Sequence, residues 1–147
     1  MSNTTEISMN ISLAAKVKGF VQLMKFRLSF LVTFSGVMSY ILGSSHIDSY
    51  LPLITFAIGG FLVTASANII NQVIEKDLDK LMTRTQNRPL PIGLLSVKEA
   101  IIFCVILGII GLYIHWSINL LTFSFSLLSL LLYGFVYTPL KRVGPIA

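Results

Sequence analysis

The chain has 147 residues, of which 54% are hydrophobic and only 12% charged, with a mean hydropathy of +0.82. A soluble domain carries about twice that charged fraction, so the composition excludes an ordinary water-soluble fold. The net charge of +5 and pI near 9.6 do not point to nucleic acid, because surplus Lys and Arg in a membrane chain set its topology.

Residues 1–27 read as a cytoplasmic N-terminal segment. It is polar, carries Glu6, and places its lysines after the polar stretch, so it is not built as a signal peptide. Residues 12–24 mix Leu, Val and Phe with Lys16 and Lys18, the pattern of a short helix lying in the membrane interface. Residues 28–47, 49–74 and 100–140 then contain no Asp, Glu, Lys or Arg. A hydrocarbon core of about 30 Å needs about 20 apolar residues per helix. The predicted spans are therefore 28–46, 51–74, 99–116 and 119–139, an all-α polytopic transmembrane bundle of about four helices. Pro52 suits a helix start. Ser96 with Glu99 reads as a capping box. The stretch from His115 to Asn119 breaks the last apolar run and offers an interfacial Trp116. Cys104 lies alone in an apolar run and reads as a packing residue.

All eleven basic residues fall on one side of this arrangement. Lys16, Lys18, Lys25 and Arg27 precede the first span, and Lys76, Lys80, Arg84, Arg88 and Lys98 lie in or beside the 75–98 loop. Lys141 and Arg142 follow the fourth span. The positive-inside rule places both termini and that loop of a multi-pass protein on the cytoplasmic side of the membrane.

The chemistry is concentrated where the second span leaves the bilayer. At about 100° per residue, with Asn71 at zero, Glu75 falls near 40°, Asn68 near 60° and Asp79 near 80°, while Asp77 falls almost opposite. Two carboxylates and two carboxamides thus share one face, and Arg84 and Arg88 follow. Hard oxygen ligands of this kind suit Mg²⁺, and guanidinium donors suit a diphosphate. Acidic residues alone would repel a diphosphate, so its binding requires the cation. A solvated, charge-mixed loop is the competing reading, against which two asparagines at membrane depth weigh. An EF-hand is excluded, since the stretch lacks the loop's glycine and its final glutamate. His46 and His115 lie at the far face and read as interfacial structural residues. Tyr133 and Tyr137 are equally suited to a pocket wall and to an aromatic belt.

The run NQVIEKDLD (71–79), with MTRTQNRPLP (82–91) after it, resembles the first acidic motif of UbiA-type intramembrane prenyltransferases. Within them, Met-x-Arg-Thr-x-x-Arg-Pro resembles the protohaem IX farnesyltransferase (haem O synthase) branch. So do Lys25-Phe26-Arg27, similar to a Lys-Pro-Arg entry segment, and YTPLKR (137–142). Glu75 stands where most members have aspartate, and Phe26 where most have proline.

The resemblance implies a larger bundle of about nine helices with a second acidic motif. Residues 28–147 then correspond to a partial prenyltransferase domain, the N-terminal half, with a separate C-terminal half as a partner if one exists. It implies transfer of a farnesyl group from farnesyl diphosphate to a vinyl group of haem B, giving haem O. Glu75 and Asp79 would be catalytic, and Asn71, Glu75 and Asp79 would hold Mg²⁺. Asn68, Asn71, Arg84, Arg88 and Lys141 would bind diphosphate, and the apolar bundle would hold the prenyl tail. The half alone is expected to lack turnover. A prenyltransferase for quinone precursors or chlorophyll, and a non-enzymatic four-helix scaffold, are the alternatives.

Overall fold

The computed structural model describes residues 2–143, with side chains from residue 13 onward. Among the described residues there is no strand. Six α-helices follow in order: α1 (Ser2–Leu23), α2 (Phe26–Gly43), α3 (Leu51–Leu81), α4 (Val97–Ile118), α5 (Leu120–Leu131) and α6 (Thr138–Val143), with a π-helical turn (Leu132–Tyr137) joining the last two. Four helical stretches are long and apolar enough to cross a membrane: α2, α3, α4 and the run Leu120–Val143. The all-α, multi-pass expectation thus stands.

The bundle exposes large apolar side chains, as a membrane solvent permits. It buries a polar face of α3 beside an apolar core that includes Leu23, Ile69, Leu90 and Leu95. Phe30, Leu31, Ile58, Ile109, Tyr113 and Phe125 are exposed, each roughly half or more. On α3 the buried set includes Ser66, Asn68, Asn71, Gln72, Glu75 and Asp79. Hydrocarbon provides no hydrogen-bond partners, so each buried polar group needs an internal one. Asn68 Nδ2 donates to Ser29 Oγ at 3.1 Å, and Gln72 Nε2 to the Leu23 carbonyl at 2.7 Å. Ser66 Oγ donates to the Cys104 carbonyl at 3.0 Å. These bonds tie α3 to α2, α1 and α4.

Close backbone approach lets α3 and α4 make the most extensive helix–helix contact among the described residues. A Cβ on Gly111 would sit 3.0 Å from the Gly59 carbonyl and 3.0 Å from the Val63 nitrogen. Small residues at such crossings are the membrane counterpart of core packing.

Local signals set the helix ends. Ser96 and Glu99 form the expected capping box on α4. Asn119 serves two helices at once. It ends α4, and its Oδ1 accepts from the Thr122 nitrogen at 2.7 Å to begin α5, so the break in the long apolar run is one residue wide. At 31 residues, α3 extends roughly 46 Å, well beyond a core of about 30 Å. Its helix continues seven residues past the predicted span end at 74, so the connecting segment proper starts at Met82 rather than at 75. That extra length carries Glu75 and Asp79.

Candidate active site

The end of α3 forms one wall of a cavity of about 350 Å³. Asn71, Glu75 and Asp79 line it together and are 4%, 8% and 4% exposed. Asp77, on the other side of the helix, is exposed. Helical periodicity explains this division, since i, i+4 and i+8 stack along one face.

Each of these three side chains meets a cation from elsewhere in the chain. Arg88 Nη1 donates to Asp79 Oδ2 at 2.8 Å. The turn that carries Arg88 is anchored by Thr85, whose hydroxyl donates to the Asp79 carbonyl at 2.9 Å. Lys141 Nζ donates to Glu75 Oε1 at 3.3 Å, and Lys25 Nζ reaches Asn71 Oδ1 at 3.5 Å. Asn71 is held from its other end, where Nδ2 donates to Thr138 Oγ1 at 3.2 Å. Thr138 in turn donates to the Tyr133 carbonyl across the π-turn. That wider turn places Thr138 and Lys141 on the α3 side, and such turns recur at functional sites. Arg142 donates to the Ile74 carbonyl and binds α6 to α3 from outside.

Lys25 caps the start of α2 in a left-handed conformation, with φ at +46°. The bend between α1 and α2 aims its side chain into the cavity. Burial, and secondarily the nearby Arg88 guanidinium, lowers its pKa. Its role went unread in the sequence beyond the entry-segment likeness. Only the contact with Asn71, 46 residues away, reveals it.

The remaining candidates are placed as follows. Arg84 lines the cavity and is exposed at its mouth. Tyr133 and Tyr137 form a wall, their rings stacked with centroids 5.4 Å apart. Asn68 does not reach the cavity. Its amide is taken by Ser29, and it lines an adjoining apolar groove that also touches Tyr133. His46 is exposed, while His115 is buried in the bundle and not at its surface.

Four cations (Lys25, Arg84, Arg88 and Lys141) and two carboxylates (Glu75 and Asp79) line the cavity, an excess of two positive charges. The cavity therefore attracts an anion even before a metal is considered, which relaxes the repulsion expected from acidic residues alone. The donor set fits Mg²⁺. Two carboxylates and a carboxamide are hard oxygen ligands, and Mg²⁺ commonly takes only one or two carboxylates plus substrate phosphate. Among the described residues no group of three His, Cys, Asp or Glu gathers to form a metal cage of protein ligands alone.

Apolar helices around a mixed-charge cavity define a polytopic membrane protein with a polar cavity at one end. The model of the UbiA prenyltransferase family matches residues 29–147, and the chain belongs to that family. A protoheme IX farnesyltransferase of Cytophaga hutchinsonii is 47% identical over 138 residues, covering 92% of this chain and 48% of that protein. One of Christiangramia forsetii is 40% identical over 147 residues, covering 100% of this chain and 48% of that protein. One of Saccharolobus islandicus is 40% identical over 132 residues, covering 90% and 46%. The chain thus spans about half the length of the curated relatives it matches. No solved structure matches it.

Proposed function

We propose that this chain carries the diphosphate-binding half of an enzyme that transfers a farnesyl group from farnesyl diphosphate to haem B, yielding haem O. The observation that carries the reading is the cavity itself: Asn71, Glu75 and Asp79 face Lys25, Arg84, Arg88 and Lys141 across a space of about 350 Å³. The names of the relatives supply the acceptor and the prenyl donor.

In this reading Arg88 and Lys141 exchange their carboxylate partners for diphosphate oxygens, joined by Lys25 and Arg84. Glu75, Asp79 and the Asn71 carbonyl oxygen then become free to hold Mg²⁺. Bound there, Mg²⁺ supplies charge that stabilises the departing diphosphate. The basic side chains act in the same direction, as fixed donors aimed at developing negative charge. The faces of Tyr133 and Tyr137 stabilise the positive charge that grows on the allylic carbon. Apolar walls keep water from the allylic carbon, so a vinyl group of haem B captures it. Water then adds to the carbon left positive beside the porphyrin ring and loses a proton, completing the hydroxyethylfarnesyl group of haem O. The one-sided distribution of the eleven basic residues supports a cytoplasmic location for α1, the 82–96 segment and α6 in a bacterial inner membrane.

Purified chain in lipid nanodiscs is expected to bind farnesyl diphosphate more tightly in the presence of Mg²⁺, measured by calorimetry, and Glu75→Gln with Asp79→Asn is expected to abolish that Mg²⁺-dependent gain. Absence of binding, or binding indifferent to the double substitution, would remove the basis of the proposal. Haem B binding, read from its absorption band, tests the acceptor separately.

A further inference from the structure

The cavity takes one of its cations, Lys25, from the corner between α1 and α2. One helix has ended there and the next has not begun, so carbonyls at the corner lack their usual backbone donors. They are those of Leu23 and Met24, and among the described residues no backbone N–H donates to either. Leu23 is fully buried, so bulk water does not reach its carbonyl.

Two carboxamides of α3 fill the gap. Gln72 Nε2 donates to the Leu23 carbonyl at 2.7 Å. Asn68 Nδ2 donates to Ser29 Oγ at 3.1 Å, and that hydroxyl donates to the Met24 carbonyl at 2.8 Å. Asn68 and Gln72 are one helical turn apart, so they present both donors to one neighbour. With Ser29, each is 2% exposed or less. A contact that served only to pack α1 on α3 would need no such groups, which are costly to bury. Both chains of donors instead end within two residues of Lys25.

Lys25 depends on that support. Its φ of +46° lies in the left-handed region, which disfavours a residue with a Cβ. Its ammonium reaches Asn71 Oδ1 at 3.5 Å, and Asn71 stands between Asn68 and Gln72 in the sequence. One turn of α3 thus fixes the backbone on which Lys25 stands and also offers the atom its ammonium meets.

We propose that Gln72, together with Asn68 acting through Ser29, is a positioning residue: it holds the corner that aims Lys25 into the cavity, and so sets diphosphate affinity without touching the ligand. The inference rests on the diphosphate reading of the cavity. Asn68 then serves the diphosphate through Lys25 and not by contact.

Pyrophosphate affinity in nanodiscs with Mg²⁺ would be measured by calorimetry for the parent, Gln72→Met, Lys25→Ala and the double variant. Gln72→Met keeps the length of the side chain and removes its N–H. It should weaken pyrophosphate binding by about three- to tenfold, the worth of one ion pair at a partly open site. In the Lys25→Ala background it should change affinity by less than about twofold, because the group it positions is gone. Equal losses in both backgrounds, or no loss in the parent, would overturn the proposal. Should Gln72→Met fail to fold, Ser29→Ala decides by the same cycle. A second readout needs no ligand. Lys25→Gly should have a higher Tm than Lys25→Ala while Gln72 keeps the corner left-handed, and Gln72→Met should close that gap. A gap that persists would show that the corner stands without Gln72, and would also overturn the proposal. A parent that binds no pyrophosphate defeats the cavity reading and the affinity claim with it. A parent that binds it, with affinity unchanged by Gln72→Met, defeats this inference alone.

Discussion

Arg88 holds Asp79 at 2.8 Å across a nine-residue turn, and the carboxylate it holds is almost wholly buried. Each member of the pair occupies the place of a ligand for the other: the guanidinium stands where a cation would bind Asp79, and the carboxylate where a phosphate oxygen would bind Arg88. Arg88→Ala strands a buried charge. The expected cost is about 2 kcal/mol, below that of a fully buried pair because Arg88 keeps 27% of its surface in solvent. Adding Asp79→Asn should recover most of that loss in thermal unfolding, whereas pyrophosphate affinity should stay low in both variants. An additive double mutant would show that the pair is not coupled.

Glu75 and Lys141 stand in the same relation at 3.3 Å. Glu75→Gln frees the ammonium and removes a hard anionic ligand. In a metal chelator the variant should bind pyrophosphate at least as well as the parent. On adding Mg²⁺ it should show a gain smaller by about tenfold, or ~1.4 kcal/mol. An undiminished response to Mg²⁺ would remove Glu75 from the metal ligands.

Lys25 combines a function with a strained backbone. The left-handed region costs a residue with a Cβ about 1 kcal/mol, and glycine avoids that cost. Lys25→Gly should therefore be more stable than Lys25→Ala by about that amount. Both should bind pyrophosphate more weakly than the parent, because both lack the ammonium beside Asn71. Equal pyrophosphate affinity in parent and variants would confine Lys25 to a structural role.

The α3–α4 crossing predicts a contrast between two glycines. Gly111→Ala forces a Cβ against the Gly59 carbonyl and the Val63 nitrogen, which cannot rotate away. A loss of about 1–3 kcal/mol is expected from such overpacking. Gly43→Ala meets nothing within 4 Å and should change stability by less than about 0.5 kcal/mol. Denaturation of the two variants in the same detergent gives the comparison.

How much of this was legible in residue order varies from one side chain to the next. The four apolar runs announced four crossing helices, because a bilayer imposes a minimum length. The shared face of Asn71, Glu75 and Asp79, and the exclusion of Asp77 from it, followed from helical periodicity. Asn68 lay on the same face by angle, yet its amide turned to Ser29. Periodicity gives a direction around one helix but says nothing of what the neighbouring helix offers. His115 was expected as a structural residue, but its burial against Phe56 and Ser126 depends on α3 and α5 and could not be read from its own helix.

Residue order by itself therefore determined the membrane-crossing architecture, the one-sided distribution of charge and the acidic face on α3, all of which depend on local hydropathy and helix pitch. Only the tertiary structure decided that Lys25, Arg88 and Lys141 converge on that face. Those contacts join residues up to 66 positions apart. They exist because close packing at glycines and the π-turn before Thr138 bring distant segments within hydrogen-bond reach.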